Sequence, residues 1–320
     1  MAINWCCVTA AWGSHGQIHP IGPKHEVPRD PLHGDAGKGS NALARSSMHF
    51  LRMGDIQAAF PRVDDLDALD QAKGNRALGA ALELCRPRNW WGTGASQSLL
   101  RAARSEGLPL AWVPRSEIIV ELDGCADDQA RLHVLESRRG LILQDCEDTL
   151  GECTDEWVID GVTLARRALE AIRAGHDEAG MALAVALGEP LAAWAATPRA
   201  MAFLSEEDRA DWEKKRSKSK YPWAQIEIDR VGNGNVEPWD FTYQVLIAPL
   251  PRFFTPWWPD KGTPPPKGLS RQVVAHQPTL AHFSTTNALL AVMLVTSILR
   301  QQQDWSDEVG HDDAQQDGNF

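Results

Sequence analysis

The feature that most constrains the fold is a periodic run of apolar residues between Val158 and Ile172. They recur at intervals of four and three residues, which places their side chains on one face of an α-helix. The members of this seam are Val158, Val162, Ala165, Leu169 and Ile172. Gly175 lies where such a helix would end in a left-handed C-cap. Residues 176–178 then open a second, alanine-rich helix, so the pattern predicts a helical hairpin with a very short turn. Because the second helix is apolar nearly all round, we expect it to be the buried one.

Further helices are predicted on both sides of this hairpin. The candidates before it are residues 66–84, 96–105 and 126–150, and residues 108–115 are interpreted as an apolar connector. Within 126–150 one apolar stripe is formed by Leu135, Ile142, Cys146 and Leu150. Near the C-terminus, the N-cap cluster Ser284–Asn287 opens an apolar helix that runs from Ala288 to about Arg300.

The expected fold class is therefore mainly α, a helical bundle with a small β or extended insertion and an irregular N-terminal segment. Residues 1–60 lack periodicity and are predicted to be irregular and flexible, and residues 61–154 to form an N-terminal helical region. The bundle itself is predicted over residues 155–303. Its insertion is placed at about 221–267, where Ala224–Asp229 and Phe241–Ile247 alternate in polarity. Residues 304–320 form an acidic tail, which we expect to be solvated and mobile.

The net charge of the chain limits the kinds of molecule that it is expected to bind. The chain of 320 residues carries 43 acidic and 32 basic residues, a formal net charge of −11. Such a chain is not expected to coat DNA or an anionic membrane, so any contact with nucleic acid would need a local basic patch. The longest apolar run, Ala288–Val295, is too short for a bilayer span, which needs about 20 residues. The six cysteines form no C-x-x-C pair and the N-terminus lacks a signal-peptide pattern, so we expect a cytoplasmic protein with reduced thiols.

Two features of the first 60 residues could suggest a ligand site. Five histidines occur there, but their spacing matches no standard zinc pattern, and no metal site is predicted. The stretch Gly34–Ser40 superficially resembles a phosphate-binding loop. Leu32 stands where the first glycine should be, and Lys38 is followed by Gly39 rather than by Ser or Thr, so we reject that interpretation.

The stretch LSRQVVAHQPT, residues 269–279, places Arg271 and His276 five positions apart, just before the last apolar helix. Together with the Gly175–His176 turn and the alanine-rich helix after it, this ordered pattern resembles the HEPN superfamily. These are compact helical bundles, and many are metal-independent ribonucleases of stress, phage-defence and toxin systems. The resemblance covers roughly residues 155–303.

The resemblance implies roles for four residues and no metal or cofactor. His276 would exchange a proton with the ribose 2′-hydroxyl or with the leaving oxygen, and Arg271 would stabilise the phosphate in its transition state. Gln272 would orient this pair or contact the backbone, and Glu189 lies near the place of an inward-facing acid. The implied product is a 2′,3′-cyclic phosphate.

Helix geometry adds a constraint, because residues five apart on an α-helix point about 140° away from each other. One chain is therefore not expected to form the site on a regular helix, and Pro278 disfavours helix at Gln277. The resemblance implies that two chains dimerise and face their motifs across a shared cleft. The expected RNA contacts come from basic residues, with Trp257 and Trp258 as stacking platforms. Those basic residues are Lys214, Lys215, Arg216, Lys218, Lys220 and Lys267.

A second interpretation stays open beside the ribonuclease. Arg271 and His276 could be capping and solvation groups, and His276 is followed by Gln277 where family members often have glycine. The protein would then be a non-catalytic helical scaffold or regulatory module. It would bind another protein through its tryptophan-rich surfaces and its acidic tail.

Overall fold

A computed structural model describes residues 83, 85–203 and 241–316, with side-chain detail for 83, 85–195 and 241–306. The chain divides into two compact units, Met1–Ala72 and Lys73–Phe320, and every described residue belongs to the second. Several predicted features lie outside the described residues. They are the irregular segment 1–60, most of the helix at 66–84, the basic cluster 214–220 and the first part of the insertion.

The described part of the chain is mainly α-helical, as predicted, and contains no β-strand. The helices are α1 (Gln97–Glu106), α2 (Ser116–Asp123), α3 (Asp128–Ser137), α4 (Arg139–Gly151), α5 (Ile159–Arg173), α6 (Asp177–Phe203), α7 (Phe241–Ile247), α8 (Leu250–Phe253), α9 (Arg271–His276) and α10 (Thr285–Gln316). Short 3₁₀ turns lie at Arg88–Trp90 and Pro259–Lys261.

The predicted hairpin is formed by α5 and α6. All five residues of the seam are at most 3% exposed. Gly175 has φ +84°, and two hydrogen bonds close the end of α5. The Gly175 N–H donates to the Ile172 carbonyl at 3.1 Å, and the His176 N–H donates to the Ala171 carbonyl at 2.8 Å. This is a Schellman motif, which satisfies carbonyls that the end of a helix leaves free and turns the chain within three residues.

Helix α6 is not buried all round, although its apolar sequence led us to expect it, and the longest unbroken buried stretch in the described chain lies in α10. Residues 287–301 of α10 are buried without a break, whereas Ala182 and Ala186 of α6 are exposed. The reason is the number of neighbours: α10 packs against α3, α4, α5 and α6, while α6 keeps one side in solvent. An apolar sequence alone does not distinguish these two situations.

Helix α10 also continues to Gln316 instead of ending at about Arg300, so the acidic segment begins inside a helix. Two contacts hold the turns from Arg300 to Trp305. Gln303 accepts the backbone N–H groups of Thr154 and Asp155, both at 2.8 Å. Trp305 packs on Trp194 of α6, with ring centroids 5.1 Å apart. None of the described helices combines the length and apolarity that a membrane crossing would need.

Three contacts show that α6 and α10 run parallel. At their first turns the Thr285 hydroxyl donates to Asp177 at 2.8 Å, and further along a Cβ added to Gly188 would lie 3.3 Å from Val295. The Trp194–Trp305 contact follows. Asp177 also pairs with Arg139 at the start of α4, 2.6 Å away, so one carboxylate joins three helix starts. Helix α5 runs in the opposite direction, because Gly161 near its start faces Leu299.

Residues 126–150 form two helices, α3 and α4, rather than the single helix predicted. The whole apolar stripe is nevertheless fully buried. The chain changes direction at Arg138, whose side chain pairs with Glu121 of α2 at 2.7 Å. This break lets α3 pack against α2 while α4 packs against α5 and α10, which one straight helix could not do.

The extended conformation predicted for Phe241–Ile247 is wrong, because this stretch is helix α7. Every residue of α7 except Thr242 is buried. A short helix enclosed on all sides has no polar face. The alternation of polar and apolar residues in Phe241–Ile247 therefore does not indicate a strand here.

Close packing of α5 against α6 predicts that Gly180→Ala destabilises the fold. A Cβ at this position would collide with the side chain of Ile172 and lie 2.6 Å from the Ala168 carbonyl oxygen. We expect the free energy of unfolding to fall by about 1–3 kcal/mol. The matched control is Gly140→Ala in α4, where a Cβ meets nothing within 4 Å; it should raise this free energy by up to about 1 kcal/mol. Urea unfolding followed by circular dichroism measures both, and equal effects would contradict the packing.

Candidate functional site

Arg271, the first residue of α9, is held by two other elements. Its Nη1 lies 2.8 Å from Oε1 of Glu189 on α6, and its guanidinium carbon lies 5.1 Å from the centre of the Phe254 ring. The two ion-paired side chains are only 19% and 20% exposed. The structure thus brings together Arg271 and Glu189, two of the four residues to which the family resemblance assigns roles.

This environment neutralises the charge of Arg271. Glu189 balances the guanidinium, and the Phe254 ring adds a cation–π contact. Nε of Arg271 is buried without a hydrogen-bond partner in the described chain. A partly buried pair of this kind is costly to break, because the remaining charge would be left without a partner.

His276 lies at the opposite end of α9 and is exposed. Among the described residues its side chain has no hydrogen-bond partner, and within one chain the motif does not bring it to Arg271. Helix α9 ends here because Gln277 adopts an extended conformation (φ −148°) before Pro278, as predicted. Gln272 is half-buried and makes no side-chain hydrogen bond to another described residue, so the expected orienting contact is absent from this part of the chain.

Of the residues expected to contact RNA, Lys267 is described and is exposed. The two tryptophans differ in burial and therefore in role. Trp257 is 9% exposed, and its Nε1 donates to the Thr263 carbonyl at 3.0 Å, so it anchors the proline-rich loop. Trp258 is 58% exposed, so part of its ring is accessible for stacking, and the ammonium of Lys261 lies over the ring, 5.4 Å from its centre.

His282 lies between α9 and α10, and no sequence pattern singled it out. It is 5% exposed, and its Nε2 accepts the backbone N–H of Ser270 at 3.3 Å. The Asn287 side chain donates to the His282 carbonyl at 2.8 Å, so this histidine fixes the start of α9 to the start of α10. Burial lowers the pKa of His282 below its usual 6.5. The signal available in the sequence was its place two residues before Ser284, whose hydroxyl caps α10.

No group of three or more His, Cys, Asp or Glu side chains arranged to hold a metal ion occurs among the residues that the structure describes. Comparisons with protein-family models, with curated proteins and with solved structures gave no match.

Burial of neutral His282 predicts a stability loss in mild acid. The unfolded chain gains a proton near pH 6.5 that the folded chain resists, so the free energy of unfolding should fall as the pH drops from 7 towards the lowered pKa. His282→Gln removes this proton uptake and should flatten the profile between pH 7 and 5. Exposed His133 supplies the control, His133→Gln, which should keep the wild-type slope. If His282→Gln kept that slope as well, His282 would not be the group that titrates.

Proposed function

We propose that the protein is a HEPN-like ribonuclease that needs no metal, with Arg271 and His276 contributed by two copies of the chain. The observation that carries the proposal is the ion pair between Arg271 and Glu189, which lie 82 residues apart in the sequence. The resemblance to the superfamily placed an inward-facing acid near Glu189. If the Arg-x4-His sequence had arisen by chance, we would not expect its arginine to pair with the acidic residue near that place, Glu189.

The chemistry follows from the two ends of α9. Exposed His276 is accessible to a phosphodiester, and an imidazole can transfer a proton at neutral pH. The ribose 2′-oxygen attacks phosphorus as its proton leaves, and the 5′-oxygen departs with a proton, so the products are a 2′,3′-cyclic phosphate and a 5′-hydroxyl. Arg271 would stabilise the charge on the phosphate in the transition state, with Glu189 holding its guanidinium in one orientation.

The proposal requires a homodimer. Arg271 faces α6 while His276 is exposed at the other end of the same short helix, so a complete site needs Arg271 of one chain and His276 of another. RNA would be drawn to Lys267 and to the basic cluster 214–220, against the net negative charge of the chain. A cytoplasmic stress or phage-defence role would fit such an activity.

A second candidate function is a non-catalytic helical module that binds another protein. The observation that favours it is the environment of Arg271, whose charge is already balanced and whose side chain is four-fifths covered. Trp157, which is 87% exposed and lies two residues before α5, would offer an apolar contact to such a partner.

The ribonuclease proposal predicts cleavage of RNA in the presence of EDTA. Purified protein should cut single-stranded or structured RNA and leave 2′,3′-cyclic phosphate ends, which mass spectrometry of the products detects. His276→Ala should slow cleavage at least about 100-fold, the range in which a general acid or base contributes. The matched control, His133→Ala, changes another exposed histidine and should cleave like the wild type.

Two results would contradict the ribonuclease proposal. One is the absence of cleavage by the wild-type protein. The other is equal cleavage by the wild type and by His276→Ala, which would point to a contaminating nuclease. Either result leaves the non-catalytic module as the better account.

A further inference from the structure

A second polar site lies away from α6 and α9, where the connector 108–115 crosses the C-terminal half of α10. It is a cavity of about 290 Å³. Its lining includes three arginines, Arg88, Arg115 and Arg300, and two glutamates, Glu117 and Glu152. Its volume is near the lower end of the range for small-molecule sites, about 300–1,000 Å³.

Trp112, in the wall of this cavity, has a strained backbone. Its φ of +66° lies in the left-handed region that residues other than glycine rarely adopt. Its N–H donates to Oδ1 of Asn89 at 3.0 Å, and its indole Nε1 donates to Gln301 at 3.1 Å. Asn89 in turn donates to the carbonyls of Leu110 and Pro114 at 3.0 and 2.8 Å. The surrounding structure therefore holds the indole at the cavity despite the strain, as is common at ligand sites.

Arg300 lies beneath the indole, with its guanidinium carbon 4.8 Å from the ring centre of Trp112. The side chain is only 4% exposed. Its Nε contacts Glu152 at 3.2 Å, while buried Nη1 has no hydrogen-bond partner and its nearest carboxylate, of Asp304, is 3.7 Å away. Because Nη1 is buried, it cannot meet a ligand, and Arg300 contributes positive charge behind the wall of the cavity.

Other donors around the cavity are also free in the described chain. Arg88 is exposed and its side chain forms no hydrogen bond or ion pair there, and the hydroxyls of Ser116 and Thr149 have no hydrogen-bond partner. Arg115 is different, because Nε and the backbone N–H both donate to Asp145, at 2.8 and 2.9 Å. This pair fixes the position of Arg115 and leaves the ligand contacts to Arg88 and the two hydroxyls, with Arg300 adding positive charge behind them.

We propose that this cavity binds a small phosphate ester with a planar ring, such as a nucleoside monophosphate. Arginine forks hold phosphate oxygens through charge-assisted hydrogen bonds, and hydroxyls complete the set of donors. The free edge of Trp112 contacts the ring of the ligand. This binding site shares no residue with Arg271, His276 or Glu189, so it stands whether or not the protein cleaves RNA.

Calorimetric titration with adenosine 5′-monophosphate, inorganic phosphate and adenosine tests the proposal on the full chain. The first two ligands should bind at millimolar concentration or below, and adenosine should bind far more weakly. Arg88→Glu should weaken binding of the monophosphate at least about tenfold, because it replaces a free donor with a like charge. Thr149→Val, a conservative change that keeps the shape of the wall, should weaken it by a smaller factor.

The matched control is Arg101→Glu, which makes the same charge change at an exposed arginine of α1 outside the cavity, and it should bind like the wild type. Thermal melting without ligand confirms that each variant is folded. Absence of binding by both phosphate compounds overturns the proposal, as does equal binding by Arg88→Glu and the wild type. Adenosine binding as tightly as its monophosphate overturns the phosphate contact, and inorganic phosphate binding as tightly as the monophosphate overturns the ring contact.

Discussion

The burial of residues 287–301 of α10 is the constraint on which the rest of the described structure depends. This stretch is not purely apolar, and its polar groups bind irregular parts of the chain. The Ser297 hydroxyl donates to the Ala111 carbonyl at 2.5 Å, and Gln301 accepts from the Trp112 indole. Just beyond it, Gln303 accepts two backbone N–H groups from residues 154 and 155. Buried polar groups that are satisfied in this way fix one arrangement of the surrounding loops.

Both candidate sites use the same local device, an arginine between a carboxylate and an aromatic ring. Arg271 lies between Glu189 and Phe254, and Arg300 lies between Glu152 and Trp112. The difference is in what remains free. Arg300 borders a cavity lined by the unpaired donors of Arg88, Ser116 and Thr149, so the binding site proposed there needs one chain only. Arg271 faces α6, away from exposed His276, so its proposed chemistry requires a second chain.

The sequence predicted those features that depend on neighbours along the chain. The α5 seam, the Gly175 turn and the Ser284 cap follow from spacing and from the preferences of single residues. The longer buried stretch of α10 compared with α6 depends on how many other helices surround each one, which an apolar sequence does not contain. The same reason explains the wrong prediction for α7, where complete burial removed the polar face that marks a helix.

The two candidate sites also differ in how much of them can be predicted from neighbours along the chain. The resemblance singled out Glu189 as lying near the place of an inward-facing acid, but its ion pair with Arg271, 82 residues away, is visible only in the structure. Nothing comparable pointed to the cavity, since Arg300 contacts Glu152 148 residues away and Gln301 contacts Trp112 189 residues away. In the sequence, Arg300 is simply the cation that follows an apolar helix, and residues 108–115 are an apolar connector. Their chemistry exists only after α10 has been buried.

The claim that two chains share one active site can be tested by complementation between inactive variants. A chain with Arg271→Lys, which retains the positive charge beside Glu189, is co-expressed with a differently tagged chain that carries His276→Ala. The mixed dimer is then purified through both tags. We expect each variant alone to be inactive and the mixed dimer to cleave RNA at about half the wild-type rate, because one of its two shared sites contains both native residues. A mixed dimer as inactive as its parents would contradict a site shared between chains.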